Sequence, residues 1–101
     1  MERFSNRKID EIGTLTLPKE LTKKAKWERD TMLTFTKLGN IAILQSEHKV
    51  EAENQVRLTL EVMNRVIIPI RILDELGWDV RCEVRVYYLD SGVVVLQKEK
   101  D

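Results

Sequence analysis

The sequence predicts a mainly β domain made of two β-β-α-β-β repeats, each with one short helix. Three observations support this fold class. Apolar and polar residues alternate with a period of two in several short segments, which is typical of half-buried strands. Turn-forming residues stand between apolar runs at Gly39-Asn40 and at Asp90-Ser91-Gly92, as in β-hairpins. The chain also resembles itself at an offset of 51 residues.

The internal repeat covers most of the chain. At this offset Pro18 aligns with Pro69 and Trp27 with Trp78. One extra residue in the following loop brings the apolar run 41–45 onto 93–97. Two copies indicate an internal pseudo-dimer, since a solenoid needs at least three repeats. We therefore expect a single domain of 101 residues, with repeats at about 4–45 and 56–98 joined by a polar linker, 46–55.

Each element follows from its local sequence. Gly13 provides the positive φ that a tight turn between two strands requires. Pro18 and Pro69 each begin a helix, because the φ of proline is already close to the helical value and its missing N–H is not needed there. The predicted strands are 7–12, 14–17, 31–37 and 40–45 in the first copy and 56–63, 65–68, 82–89 and 92–98 in the second, with helices at 18–26 and 69–77.

Composition narrows the function classes. The chain has 17 Lys and Arg against 17 Asp and Glu, so no overall field attracts nucleic acid. The basic excess is local, because residues 1–45 carry a net charge of +3. A single cysteine, Cys82, cannot form an internal disulfide, which fits a cytoplasmic protein. The apolar runs are too short for a membrane span, and the N-terminus has no signal-peptide core.

An enzymatic function is not supported. The one histidine, His48, lies in the linker, and no metal-binding, nucleophile or phosphate-loop motif is present. We therefore expect no enzyme, cofactor or metal, with His48 a solvated linker residue and Cys82 a small structural residue. Trp27 and Trp78 occupy matching positions just after each helix. Packing beneath the helices is the favoured role, with stacking on a nucleic-acid base as the alternative.

The run RKIDEIGTLTLPKEL at residues 7–21 resembles the opening of an AbrB-like (SpoVT/AbrB, MazE-type) domain. The resemblance implies a double-split, swapped-hairpin β-barrel and a DNA-binding transcriptional regulator whose partner is double-stranded DNA. In this family two chains interleave their hairpins. Here one chain holds both halves, so the resemblance implies either a monomeric pseudo-dimer or a homodimer that exchanges halves.

The resemblance also implies which residues contact DNA. The basic residues of the first strand correspond to Arg7 and Lys8, and the basic residue after the turn glycine is Thr14 in the first copy but Arg65 in the second. Lys23 matches one of the two helix basics, and Asp74 takes its place in the second copy. With the neighbouring cations, the expected DNA-binding set is Arg7, Lys8, Lys19, Lys23, Lys24, Arg65 and Arg71.

The alternative function is a protein-interaction module with weak or no DNA binding. It would be an antitoxin-like protein or a partner of another AbrB-type regulator. The antitoxin version is disfavoured, because only 98–101 follow Gln97 and they do not form the acidic tail typical of that group. Outward apolar residues such as Ile67 and Ile70 would support self-association. A contiguous basic face would favour DNA, whereas basic residues scattered in ion pairs would favour the interaction function.

Overall fold

The computed structural model describes residues 1–46 and 52–99, which form eight strands and two short helices. The mainly β class is confirmed. His48 and half of the predicted linker, 47–51, lie outside the described residues. The first half comprises β1 (Glu2–Lys8), β2 (Thr14–Thr16), α1 (Lys19–Ala25), β3 (Met32–Leu38) and β4 (Ile41–Ser46). The second half comprises β5 (Gln55–Thr59), β6 (Arg65–Ile67), α2 (Ile70–Leu76), β7 (Glu83–Leu89) and β8 (Val93–Lys98).

Six strands form one antiparallel sheet in the order β1-β7-β8-β4-β3-β5, and β2 and β6 form a separate two-stranded ribbon. The outer strand β1 belongs to the first half but pairs with β7 of the second, and β5 pairs with β3 of the first. If each strand is replaced by its equivalent in the other half, the same order results, read from the opposite edge of the sheet. Within the described residues β1 and β5 do not pair with each other, so strand pairing does not close the sheet into a barrel.

Backbone hydrogen bonds outside the sheet recur at the 51-residue offset. Leu17 donates to the carbonyl of Asn64 over 2.7 Å, and Ile68 donates to that of Gly13 over 2.9 Å. Asn64 also takes the positive φ of Gly13, at 59° against 88°. Asparagine tolerates this left-handed conformation better than most residues. The two halves therefore hold each other through matching backbone contacts.

The first strand is shifted from its expected position. Residues 7–12 were expected to be extended, but β1 ends at Lys8. The reason is a turn organised by Asp10, whose Oδ1 accepts backbone hydrogen bonds from Ile12 at 3.0 Å and Thr14 at 2.8 Å. An aspartate side chain that bonds the backbone two residues on competes with a strand ladder. The fifth strand likewise ends at Thr59, before a 3₁₀ turn at Val62–Asn64.

One core joins the two halves. The inward-facing residues of the sheet alternate along each strand, as a half-buried sheet requires. The ribbon and both helices cover this face, and Leu15, Leu21, Val66 and Ile72 are fully buried. The sheet residues of the core are Leu33, Phe35, Ala42, Leu44, Leu58, Val84, Val86, Val94 and Leu96. Neither described helix is long and apolar enough to cross a membrane.

Candidate nucleic-acid interface

The ribbon has two distinct ends. At one end Thr16 lies opposite Arg65, and the chain continues from Thr16 into α1. At the other end Thr14 lies opposite Ile67, and the chain continues from Ile67 into α2. We call these the α1 end and the α2 end. Because the strands run antiparallel, each end combines a helix from one half with a turn from the other.

Two lysines stand free on α1. Lys19 and Lys23 are both exposed, and residues four apart lie on the same face of a helix. Among residues 1–46 and 52–99, no carboxylate lies within 4 Å of either ammonium group. The opposite face of α1 is buried through Leu21 and Thr22. The two unpaired charges therefore point away from the core and are available to an anionic partner.

Arg65 lies at the same end of the molecule. Its pairing with Thr16 places it beside the start of α1, although it comes from the second half. The side chain is half-buried, and its Nε donates to the carbonyl of Val62 over 3.1 Å. Its two terminal nitrogens make no hydrogen bond to any described residue. The antiparallel ribbon thus places Arg65 at the α1 end, whereas Thr14, its equivalent in the first half, lies at the α2 end and carries no charge.

Two other expected contacts are neutralised within the chain. Lys24 forms an ion pair with Glu2, and the hydrogen bond that its ammonium group donates to this carboxylate raises the pKa of the ammonium group. Arg71 lies 3.8 Å from Glu75, one turn along α2. Exposed pairs of this kind contribute little to stability, but they reduce the net charge presented to phosphate. Neither residue is a free cation.

Arg7 and Lys8 lie apart from the α1 end. Lys8 lines a groove with Glu11, Ile12 and Arg81 beside the connection from α2 to β7. Arg81 forms an ion pair with Glu11 there. Arg7 is half-buried on β1, and its buried Nε has no hydrogen-bond partner. The seven expected DNA contacts therefore do not form one basic face.

The two helices carry opposite charges at equivalent positions. Glu20, Lys23 and Lys24 of α1 correspond to Arg71, Asp74 and Glu75 of α2 at the 51-residue offset. Asp74 is exposed, and within the described part of the chain no cation lies within 4 Å of it. An acidic helix repels phosphate. Any DNA interface built from this molecule is therefore one-sided.

The α2 end exposes apolar side chains. Ile12, Ile67 and Ile70 are 66%, 48% and 55% exposed. Ile12 and Ile67 line one part of a shallow groove of about 160 Å³, which extends along the ribbon to Glu61, Val62 and Arg65 at the α1 end. Ile67 and Ile70 correspond to Thr16 and Lys19 in the first half. The second half therefore presents a more apolar surface than the first.

Both indoles are packed inside. Trp27 is 5% exposed and Trp78 is 3% exposed, and each Nε1 is buried without a hydrogen-bond partner. Neither ring offers a face to a nucleic-acid base. Cys82 is half-buried, and desolvation raises the pKa of its thiol. No group of three or more potential metal ligands occurs among the described residues.

Sequence reasoning missed the acidic partners of the basic residues. Glu2 lay outside every predicted element, so its pairing with Lys24 had no local signal. Glu11 and Arg81 are 70 residues apart and meet only because β1 pairs with β7. Glu99 accepts hydrogen bonds from Arg85 at 2.8 and 2.5 Å. The Glu11–Arg81 pair depends on the pairing of β1 with β7, whereas Glu99 meets Arg85 across the β7–β8 hairpin.

Comparison with known proteins identifies no family. No protein-family model matches the chain, and no curated protein matches it. The solution structure of PHS018 from Pyrococcus horikoshii is similar, with a TM-score of 0.51 and 17% sequence identity over 98% of this chain and 95% of that one. At this identity the similarity shows the fold alone.

Proposed function

We propose that this chain is a cytoplasmic DNA-binding regulator with a swapped-hairpin arrangement of the AbrB-like type, and that it contacts duplex DNA mainly through its α1 end. The observation that carries the proposal is the pair of unpaired lysines, Lys19 and Lys23, on one exposed face of α1 beside Arg65. Three cations in this arrangement fit the phosphate backbone, which supplies most of the affinity in protein–DNA complexes.

The strand exchange supports the proposal. Each outer strand pairs with the other half, and one chain thereby holds both halves of the interleaved unit that the family resemblance implies. Arg65 belongs to the second half, but it lies at the end of the ribbon where α1 of the first half begins. The terminal nitrogens of Arg65 can form two parallel hydrogen bonds to a phosphate or to a guanine edge. The remaining expected contacts, Arg7, Lys8, Lys24 and Arg71, are secondary in this binding mode.

Fluorescence anisotropy with a labelled mixed-sequence duplex tests the proposal. Binding is expected at ~50 mM salt and should weaken steeply as salt rises, because each phosphate contact releases a counterion. With three contacts, the logarithm of the affinity should fall with the logarithm of salt at a slope of about −3. Absence of binding at the lowest salt would rule out the proposal.

The second candidate function is a protein-interaction module that docks partners at its α2 end. The observation that favours it is the exposure of Ile12, Ile67 and Ile70 in one region. Clustered exposed apolar residues mark interaction sites on protein surfaces. Size exclusion with light scattering on the wild type and on Ile70→Ser tests its self-association form. A mass above the monomer that falls in the variant supports it, and a monomer mass throughout both series contradicts it.

A further inference from the structure

We propose that this chain associates head to tail with a second copy of itself, with the α1 face of one copy docked on the α2 face of the next. The inference specifies the partner for the interaction module that is the second candidate function, and it rests on that candidate. It does not depend on DNA binding. It follows from the charges, the exposed apolar residues and the internal symmetry of the molecule.

The charge argument begins with the two exposed helix faces. Lys19 and Lys23 share one face of α1, and Ile70 and Asp74 occupy the equivalent face of α2. In the described parts of the chain, Lys23 and Asp74 have no ion-pair partner. The faces are therefore complementary to each other, but each repels its own copy. Complementary potentials favour the α1-to-α2 contact over contacts between like faces.

Apolar contacts would supply most of the free energy of association. Exposed ion pairs contribute little free energy each, which is too little for association. The α2 end adds Ile12, Ile67 and Ile70. At the α1 end, Met63 is 77% exposed and Val62 39% exposed, and their turn is held next to α1 because Asn64 accepts a hydrogen bond from Leu17. Both surfaces therefore combine apolar residues with charge, and the charges are opposite.

The pseudo-symmetry makes a second copy a suitable occupant. The two ends are built from the same elements at a 51-residue offset, so their backbones present similar shapes. They differ in the charge on the helix and in the exposed apolar residues Ile67 and Ile70 of the α2 end. A contact between two different surfaces of one protein is heterologous, and it extends into rings or open chains rather than stopping at a dimer. The expected products are therefore a concentration-dependent series of species.

The contact involves residues of the proposed DNA interface. Lys23 would be covered in every copy whose α1 face is docked, so self-association and DNA binding compete for it. Only the copy at one terminus of an open series keeps its α1 face free. Raising the concentration of the chain in the absence of DNA would thus reduce the fraction of free interfaces.

Sedimentation velocity over a hundredfold concentration range tests the proposal with two charge reversals. Lys23→Glu alters only the α1 face, and Asp74→Lys alters only the α2 face. Each single variant is expected to associate about five- to tenfold more weakly than the wild type, because a favourable pair becomes a repulsive one. Lys37→Glu and Glu53→Lys are matched controls, since both positions lie near the far end of β3, and they should associate as the wild type does.

Mixing the two single variants gives the decisive result. The α2 face of Lys23→Glu and the α1 face of Asp74→Lys retain the wild-type charges, and the two reversed faces are complementary to each other, so the mixture should associate more strongly than either variant alone. The double variant, which exchanges the two charges within one chain, should recover association to within about threefold of the wild type. These results also show that the variants are folded.

Three results would overturn the proposal. The first is a wild type that stays monomeric across the range. The second is a mixture no heavier than its separate components, and the third is association that both charge reversals leave unchanged. In the last case another surface mediates self-association, so the interaction function survives while the head-to-tail contact does not. DNA binding by Asp74→Lys is measured separately, at chain concentrations below the association range, so that competition for Lys23 does not contribute.

Discussion

Ile68 donates its backbone N–H to the carbonyl oxygen of Gly13 over 2.9 Å, which links the turn of the first half to the strand end of the second. The approach is close because Gly13 has no side chain. A Cβ at this position would lie 2.5 Å from the carbonyl oxygen of Ile68, and the φ of Gly13 is +88°. Glycine is required here by both conformation and space.

Gly13→Ala is expected to destabilise the fold by about 2–4 kcal/mol, since the new methyl group clashes with backbone atoms that cannot move alone. Urea denaturation measures the loss. Gly39→Ala is the matched control, because Gly39 has φ +63° with nothing within 4 Å of the added Cβ. Its cost should be about 1 kcal/mol. Equal losses at the two positions would show that the contact with Ile68 is not limiting.

Lys23→Glu is expected to weaken duplex DNA binding at the α1 end, and Asp74→Lys to strengthen binding by giving the α2 end a phosphate contact of its own. Each change alters the number of phosphate contacts by about one, so the salt slope should shift by about one unit in opposite directions. Anisotropy titrations at several salt concentrations measure both quantities. Glu53→Lys makes the same charge change as Asp74→Lys on the turn before β5, and an equal gain there would indicate a purely non-local charge effect.

Tryptophan emission is expected to stay unchanged when DNA is added. Trp27 and Trp78 are both almost fully buried, so neither can stack on a base. Steady-state fluorescence of the chain titrated with unlabelled duplex measures this, with iodide quenching of the free protein as a control for burial. Strong quenching by duplex would restore the base-stacking role that the structure disfavours.

Glu99→Gln is expected to destabilise the fold by about 1–3 kcal/mol, because it removes the charge from an acceptor shared by several donors. Glu99 accepts from Arg85 at 2.8 and 2.5 Å, from Asn6 at 2.8 Å and from Arg3 at 3.4 Å. Urea denaturation measures the loss, and hydrogen exchange should show faster opening of β1. Glu83→Gln, at an exposed position of β7, should change stability by less than about 0.5 kcal/mol.

Cys82 is expected to react slowly with alkylating reagents at neutral pH. Burial raises the pKa of its thiol in the folded state, and only the thiolate is nucleophilic. The midpoint of alkylation rate against pH should therefore lie higher for the folded chain than for the chain in urea. The same shift means that stability falls as pH rises from the ordinary thiol pKa towards the folded value. Cys82→Ser should remove that part of the pH dependence.

Much of the fold was predictable from local sequence. The hairpin turns at Gly39 and Gly92, the helix starts after Pro18 and Pro69, and most strands follow from turn chemistry and a period of two. The error at β1 has a physical cause. The segment 2–5 has no clear alternation, and the Asp10 turn that shortens the strand depends on a side-chain hydrogen bond.

The site was less predictable than the fold. Sequence identified Lys19, Lys23 and Arg65 as basic candidates, but it could not show that Lys24 is paired with Glu2. Such pairs join residues that are far apart in the chain, and they depend on register in the exchanged strands. The position of Arg65 beside the start of α1 depends on the register of the two-stranded ribbon. A sequence shows which residues are charged, whereas the topology of the fold decides which of these residues form ion pairs.

The pairing of β1 with β7 also has a consequence for folding. In this register Glu2 lies opposite Tyr88, so β1 can pair only after the chain as far as β7 has been synthesised. Closing so long a loop costs entropy before any contact compensates for it, and such topologies fold slowly. During synthesis the segment that becomes β1 has no partner until the second half emerges, and its charged residues Arg3, Arg7 and Lys8 help to keep that unpaired strand from aggregating.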